Sequence, residues 1–231
     1  MIFLVGDVHG EKNIWKRPPL SELKGNDFVI LLGDIGYLYL DNEAEHRFLD
    51  WMEENVKATV LFLVGNHDNI PAIHRYPEEI WNGGHIHKIR KNIFHLMNGY
   101  VFDIPNDTGR VNSFFVMGGA YSIDRASRTG MWFEEELPSD WEKCLGNSNL
   151  ALRKYNVDYV LSHCPPSSIS CRFYYNAKEK PLNEYLQYVM EVVSEENKDF
   201  KRYYCAHTHE SRRYEDVKVS VLGYCEIEKL E

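Results

Sequence analysis

Seven side chains able to hold a metal ion sit at matching places along this chain. They are Asp7 and His9 in Asp7-Val8-His9, then Asp34, Asn66, His163, and the pair His207 and His209. Each place closes a short apolar run. Carboxylate and imidazole donors with no thiolate suit hard-to-borderline divalent ions such as Mn, Fe, Zn, Ni or Co. One carboxylate can bridge two ions. Two ions about 3.5–4 Å apart can clamp a phosphate and acidify a bridging water. That chemistry would supply a hydroxide near neutral pH.

The runs that precede these residues must position them. Residues 2–5 lead into Gly6-Asp7, 28–32 into Gly33-Asp34, and 60–64 into Gly65-Asn66. Residues 157–161 lead into Ser162-His163, and 202–205 into Ala206-His207. The first three runs are continuously apolar rather than alternating, the pattern of strands buried on both faces. Between them, residues 44–56 place Phe48, Leu49, Met52 and Val56 near helical spacing, with Asp41 or Asn42 as cap. Residues 11–24 are helical only in pieces, because Pro18-Pro19 interrupts them. Residues 182–193 give a further helix. Strand–helix–strand repetition implies parallel strands with right-handed crossovers. Ligands of open α/β sheets gather at the carboxyl ends of the strands, so residues distant in sequence would converge there.

The middle of the chain differs. Residues 93–97 and 100–102 flank Asn98-Gly99, which predicts a hairpin. Residues 113–117 predict a strand and 217–222 a closing strand. Residues 120–141 are polar, aromatic and charged without a period, as expected of a functional loop or lid. Within it, Arg125 and Arg128 are candidate contacts to a substrate phosphate; the alternative is that they pair with Glu134, Glu135 and Glu136.

The net charge is -9, from 26 basic and 35 acidic residues, with no dense Lys/Arg run. Stable nucleic-acid binding and anionic-membrane binding are therefore not expected. The acidic excess at 134–136 and 191–196 is expected to be solvated. A hydrophobic share of 44% is enough for a sizeable core, and one domain over residues 1–231 is expected. Five cysteines without framework spacing predict reduced thiols and a cytoplasmic protein. The apolar start, 1–5, is too short for a signal peptide or a span.

The five blocks together are Asp7-Val8-His9, Gly33-Asp34, Gly65-Asn66-His67-Asp68, His163, and Ala206-His207-Thr208-His209. In this order they resemble the calcineurin-like metallophosphoesterase superfamily, across most of the chain. The resemblance implies an α/β fold, a four-layer sandwich of two mixed β-sheets flanked by helices. It implies two divalent metal ions, manganese first, with Fe, Zn, Ni, Co or Mg as alternatives. Asp7, His9 and His209 would bind one ion, and Asn66, His163 and His207 the other, with Asp34 bridging. His67 would face the substrate and protonate the leaving oxygen, with Asp68 orienting its ring. A metal-bridging hydroxide would attack phosphorus in line, on a small phosphorylated or nucleotide-like substrate, monoester or diester. In the metal-free protein Asp34 would resist ionisation.

Departures carry information. Ala206 stands where the family usually has Gly, and a small shift of the following histidines is expected. Asp34 is followed by Ile35-Gly36-Tyr37, not by the Asp-Arg-Gly of the protein Ser/Thr phosphatases. Residues 118–125 resemble a bacterial or phage branch. Outside the five blocks, His85 and His87 fit an edge strand or surface loop. His95 fits a packed or solvent-facing strand position, and His46 and His74 have no partner pattern. Cys164 and Cys205 fit small buried hydrophobes. Two other functions compete: a non-catalytic protein-binding scaffold on the same fold, and a nuclease of the same superfamily. A scaffold would not need every metal position filled, and a nuclease would want a basic groove.

Overall fold

A computed structural model describes residues 1–127, 132–174 and 176–230. Its strands are β1 (Ile2–Val5), β2 (Phe28–Leu31), β3 (Thr59–Phe62), β4 (Glu78–Trp81), β5 (Gly84–Arg90), β6 (Ile93–Leu96) and β7 (Val101–Pro105). They continue as β8 (Val111–Met117), β9 (Tyr159–Ser162), β10 (Arg202–Cys205), β11 (Arg212–Tyr214), β12 (Val219–Val221) and β13 (Ile227–Leu230). Two mixed sheets result. One has the order β13-β1-β2-β3-β6-β5-β4, the other β11-β12-β10-β9-β8-β7. Within the first, β1, β2, β3 and β6 are parallel neighbours, in register from Ile2 opposite Phe28 and Phe28 opposite Thr59. Within the second, β8, β9, β10 and β12 are parallel.

The helices are α1 (Glu43–Asn55), α2 (Ile70–Ile73), α3 (Ile123–Ser127), α4 (Asp140–Leu152), α5 (Ser167–Ser170) and α6 (Lys180–Glu196). Three buried clusters account for the layering. Phe3, Val5, Val29 and Leu31 face outward to Phe48, Leu49 and Met52 of α1. Ile2, Leu4, Ile30 and Leu61 face inward and meet Phe102, Phe114, Val116 and Leu161 of the other sheet. Phe115, Met117, Val160 and Tyr203 turn the other way, onto Leu182, Leu186, Val189 and Val193 of α6. Successive strand side chains point to opposite faces, so a strand sandwiched between layers must be apolar throughout. That is the four-layer arrangement expected, and the reason its central runs do not alternate.

Local chemistry fixes the helix starts. Asn42 caps α1, accepting from the backbone N–H groups of Ala44 and Glu45. Residues 12–16 and 20–22 form two short 3₁₀ turns on either side of the two prolines, as expected of a segment helical only in pieces. Helix α4 carries little apolar periodicity, because it buries little beyond Gly146 and Leu150. Its signature was nevertheless present: Ser139 and Glu142 form a reciprocal capping box.

The structure corrects several expectations. Asn98-Gly99 does not close a hairpin: β6 lies in one sheet and β7 in the other. The Asn98 side chain instead accepts from the Gly118 N–H at 2.6 Å and donates to Glu142 at 3.0 Å, tying the crossover to β8 and α4. Chain closure falls to β13, which runs antiparallel to β1, not to β12. Strand β5 lies inside the sheet, with β4 as the edge. His87 and His95 are both buried there, their Nδ1 atoms 3.0 Å apart, and His74 stacks on His87 at 4.9 Å. Glu136 is buried rather than solvated, accepting from the Ser122 N–H at 3.1 Å. Among the described residues, no helix is long and apolar enough to cross a membrane.

Candidate metal centre

The turns after β1, β2 and β3 and those after β9 and β10 meet at one end of the two sheets. The backbone there is unusual. His9 (φ 45°), Asp34 (φ 48°), His207 (φ 69°) and His209 (φ 59°) all occupy the left-handed region. Each such non-glycine residue costs about 1–3 kcal/mol, and such residues cluster at functional sites. Ala206 is not among them, so the missing glycine costs nothing there: the positive φ falls on His207. Gly65 is needed for another reason. A Cβ at that position would stand 2.1 Å from Asp34 Oδ1 and 2.5 Å from the Asp34 nitrogen.

Two sets of donors form. Asp7, His9 and His209 offer ligand atoms within 4.8 Å of one another, and so do Asp34, His163 and His207. Asp34 lies between them: Oδ2 is 3.7 Å from His9 Nε2 and Oδ1 is 3.5 Å from His163 Nε2. Asn66 Oδ1 is 3.3 Å from the same His163 nitrogen. The His163 Nδ1–H donates to the Leu32 carbonyl at 2.7 Å, which leaves Nε2 facing the donor set. Asp7 Oδ1 accepts from the His207 backbone N–H at 3.1 Å and Asp34 Oδ1 from that of His67 at 2.8 Å.

Charge is concentrated here. Burial would raise the Asp34 pKa, but His163, His67 and His9 together hold it below the usual carboxylate range. Burial would lower His163, yet Asp34 and Asp7 raise it to about 10. Asp34 thus ionises readily beside a protonated His163, contrary to the expectation that it would resist ionisation. Its neighbours are histidines, His163 foremost, and not only carboxylates.

The donor set fits divalent ions on one observation beyond composition. The buried Asp7 Oδ2 has no well-aligned hydrogen bond, its nearest partner being His209 Nε2 at 3.2 Å, and that nitrogen faces His9 Nε2 at 2.9 Å. A buried carboxylate oxygen and two imidazole nitrogens converging on one space make a cation's environment.

His67 lies beside this centre, its ring 5.4 Å from that of His9 and 6.3 Å from that of Tyr39. Asp68 does not serve its ring. Asp68 Oδ2 accepts from the Gly65 N–H at 2.8 Å, and Oδ1 accepts from the Ile35 N–H at 3.0 Å and Gly36 at 3.3 Å. The carboxyl, pushed up to about 7 by burial and by Asp34, clamps the loops that carry Asp34 and His67. Adjacency in sequence suggested a partner for His67; the side chain points the other way.

A cavity of about 730 Å³ opens beside Asp34, Asn66, His67 and His207. Tyr121, Ile123, Phe173 and Tyr174 line it, with Lys178 and Glu210. Ile123, Lys178 and Glu210 belong to no motif that marks them in the sequence. Tyr39 and His67 line a smaller cavity of about 200 Å³ on the other side, whereas Tyr37 is core, its hydroxyl donating to the Glu11 carbonyl. Arg125 is held within its own loop: it donates to the Phe133 carbonyl at 2.9 Å, lies 3.4 Å from Glu136 and stacks on Trp132 at 4.3 Å. Arg128 lies outside the described residues. A cleft of about 800 Å³ near Arg202 and Tyr204 touches none of the seven donors, and its Arg213 is already paired with Glu228.

The family profile described as calcineurin-like phosphoesterase matches residues 1–211. No curated protein matches significantly. Among solved structures, a candidate 5'-nucleotidase from Staphylococcus aureus, solved with alpha-ketoglutarate, is 14% identical with a TM-score of 0.52. The alignment covers 98% of this chain and 49% of that one, so this chain spans about half its length. The calcineurin-like phosphoesterase YfkN from Bacillus subtilis is 11% identical, with a TM-score of 0.48 over 100% of this chain and 85% of that one. At such identities the likeness is one of fold.

Proposed function

This chain belongs to the calcineurin-like phosphoesterase family, and on that premise we propose that it hydrolyses esters of a small phosphorylated or nucleotide-like substrate at a two-metal centre. The observation that carries this reading is the pair of donor sets, Asp7–His9–His209 and Asp34–His163–His207, with Asp34 between them and His67 alongside.

Asp7, His9 and His209 would hold one ion, and Asn66, His163 and His207 the other. Two divalent ions, when bound, supply positive charge for phosphate oxygens and acidify a water. The protein's own groups do the rest. Asp34, ionised by its histidine neighbours, faces both sets. His67 would meet the leaving oxygen and give it a proton. Asp68 positions His67 and Asp34 by holding the turns beneath them. The aromatic wall of Tyr121, Phe173 and Tyr174 suits a planar, apolar leaving group. The substrate is a monoester or a diester, and manganese is the first ion to try.

The test is hydrolysis of p-nitrophenyl phosphate and bis-p-nitrophenyl phosphate by protein stripped with chelator and reloaded with Mn²⁺. Turnover restored by metal supports the reading, and the better substrate assigns the ester class. Protein that takes up no metal and turns over neither ester refutes it and favours a protein-binding scaffold.

A further inference from the structure

Glu179 is a buried carboxylate that the donor sets do not include. It precedes α6, is 0% exposed, and offers no cap to that helix. Its oxygens face the metal centre's outer side. Oε1 accepts from the Tyr174 hydroxyl at 2.7 Å and from the Cys164 thiol at 3.2 Å, and Oε2 lies 3.0 Å from the same hydroxyl. Cys164 is in turn anchored: Asn183 Nδ2 donates to its sulfur at 2.8 Å and to the Pro165 carbonyl at 2.9 Å. Cys164 is thus buried in the core as expected and also joins a polar network.

The remaining neighbour is His207. Its Nε2 stands 3.3 Å from Glu179 Oε1, while its ring packs 4.9 Å from that of His163 and 5.8 Å from that of Tyr174. A buried carboxylate needs donors on its lone pairs. Tyr174 and Cys164 satisfy part of Glu179, and the His207 ring supplies the next N–H. The same logic operates at His163, where Nδ1–H is fixed by the Leu32 carbonyl. Imidazole ligands are oriented by what their second nitrogen donates to.

We propose that Glu179 is the positioning residue of His207: it takes the Nε2–H, fixes the tautomer, and leaves Nδ1 to an ion at the Asp34–His163–His207 set. This rests on the two-metal reading above. Tyr174 then has two duties, since its ring lines the substrate cavity and its hydroxyl holds Glu179. The network joins the wall of the cavity to one of the two donor sets and leaves the other, Asp7–His9–His209, untouched.

The experiment is calorimetric titration of metal-stripped protein with Mn²⁺, with stoichiometry from elemental analysis and the metal-free melting temperature recorded for each variant. Glu179→Ala and Glu179→Asp, which remove or retract the acceptor, are expected to weaken one of two Mn²⁺ equivalents about 10–100-fold. The other equivalent should be unchanged. Glu179→Gln keeps an oxygen that can accept the Nε2–H and should restore most of the affinity. If Glu179→Ala does not fold, Glu179→Asp against Glu179→Gln decides. Lower melting temperatures with both Mn²⁺ equivalents at wild-type affinity in Glu179→Asp would mean a purely structural carboxylate and overturn the assignment. Wild-type protein that binds no Mn²⁺ would overturn the metal centre itself, an outcome the titration separates from failure of Glu179 alone.

Discussion

Replacing Gly65 by alanine tests how closely the centre is built. The new Cβ would lie 2.1 Å from Asp34 Oδ1, 2.5 Å from the Asp34 nitrogen and 2.8 Å from its Cγ. Real Cβ atoms keep about 3 Å or more from such neighbours, so Asp34 must retreat by about 1 Å. A side-chain rotation cannot absorb this, because one of the three atoms is backbone. The retreat pulls Oδ1 from the His67 N–H, a 2.8 Å contact, and from the space between the two donor sets. A hydrogen bond to a charged acceptor contributes about 1.5–3 kcal/mol, and a misplacement of about 1 Å at a catalytic group costs about 100-fold in rate. Gly65→Ala is therefore expected to lose about two orders of magnitude in kcat/KM on the preferred nitrophenyl ester, with reduced Mn²⁺ content by elemental analysis. Gly25→Ala is the control: the nearest atom to its Cβ is the Lys57 carbonyl oxygen at 3.9 Å. A Gly65→Ala protein with full metal content and a rate within about threefold of wild type would refute the close approach on which the site assignment depends.

His67→Ala should cut turnover by about 100-fold or more while Mn²⁺ content stays at the wild-type level; parallel loss of both would make His67 a ligand instead. Asp68→Asn surrenders one of two accepting oxygens, one serving Gly65 and the other Ile35, and should destabilise by about 1–3 kcal/mol in urea titrations. An unchanged urea midpoint would show that the carboxyl does not clamp these turns. Burial pushes His87 down to about 4 and holds His95 well below 6.5. The native state excludes protons that the unfolded chain accepts, so stability is intact above about pH 6.5 and falls as the pH drops toward 4. His95→Phe should flatten that acid limb in urea midpoints measured between pH 7 and 4.5. An unchanged slope would remove His95 from the account.

The metal-capable residues were legible because the fold's rule is simple. Strands buried on both faces must be apolar, so the first side chain able to bind an ion marks the strand's end, as at Asp7, Asp34 and His207. What escaped depended on contacts across the fold. Glu179 looks like one more acid before a helix, and only the packing of α6 against the turn at Cys164 brings it to His207. Glu136 sits in a run of three acids, yet the Ser122 N–H and Arg125 draw that one inward. Asn98-Gly99 satisfied the local rule for a hairpin, but Asn98 has partners in β8's end and α4, and the chain changes sheets there. Local turn chemistry states that the chain bends; it does not state which strand waits on the far side.

Both donor sets take members from opposite halves of the chain. Asp7 and His9 wait for His209, and Asp34 waits for His163 and His207. As the polypeptide leaves the ribosome, the first three parallel strands can pair while neither set is filled. β9 must then be laid down before His163 joins Asp34 and Asn66, and β10 must pair with β9 before His207 and His209 arrive. Completion of either set therefore waits for the turn after β10, the last of these elements to appear in the chain.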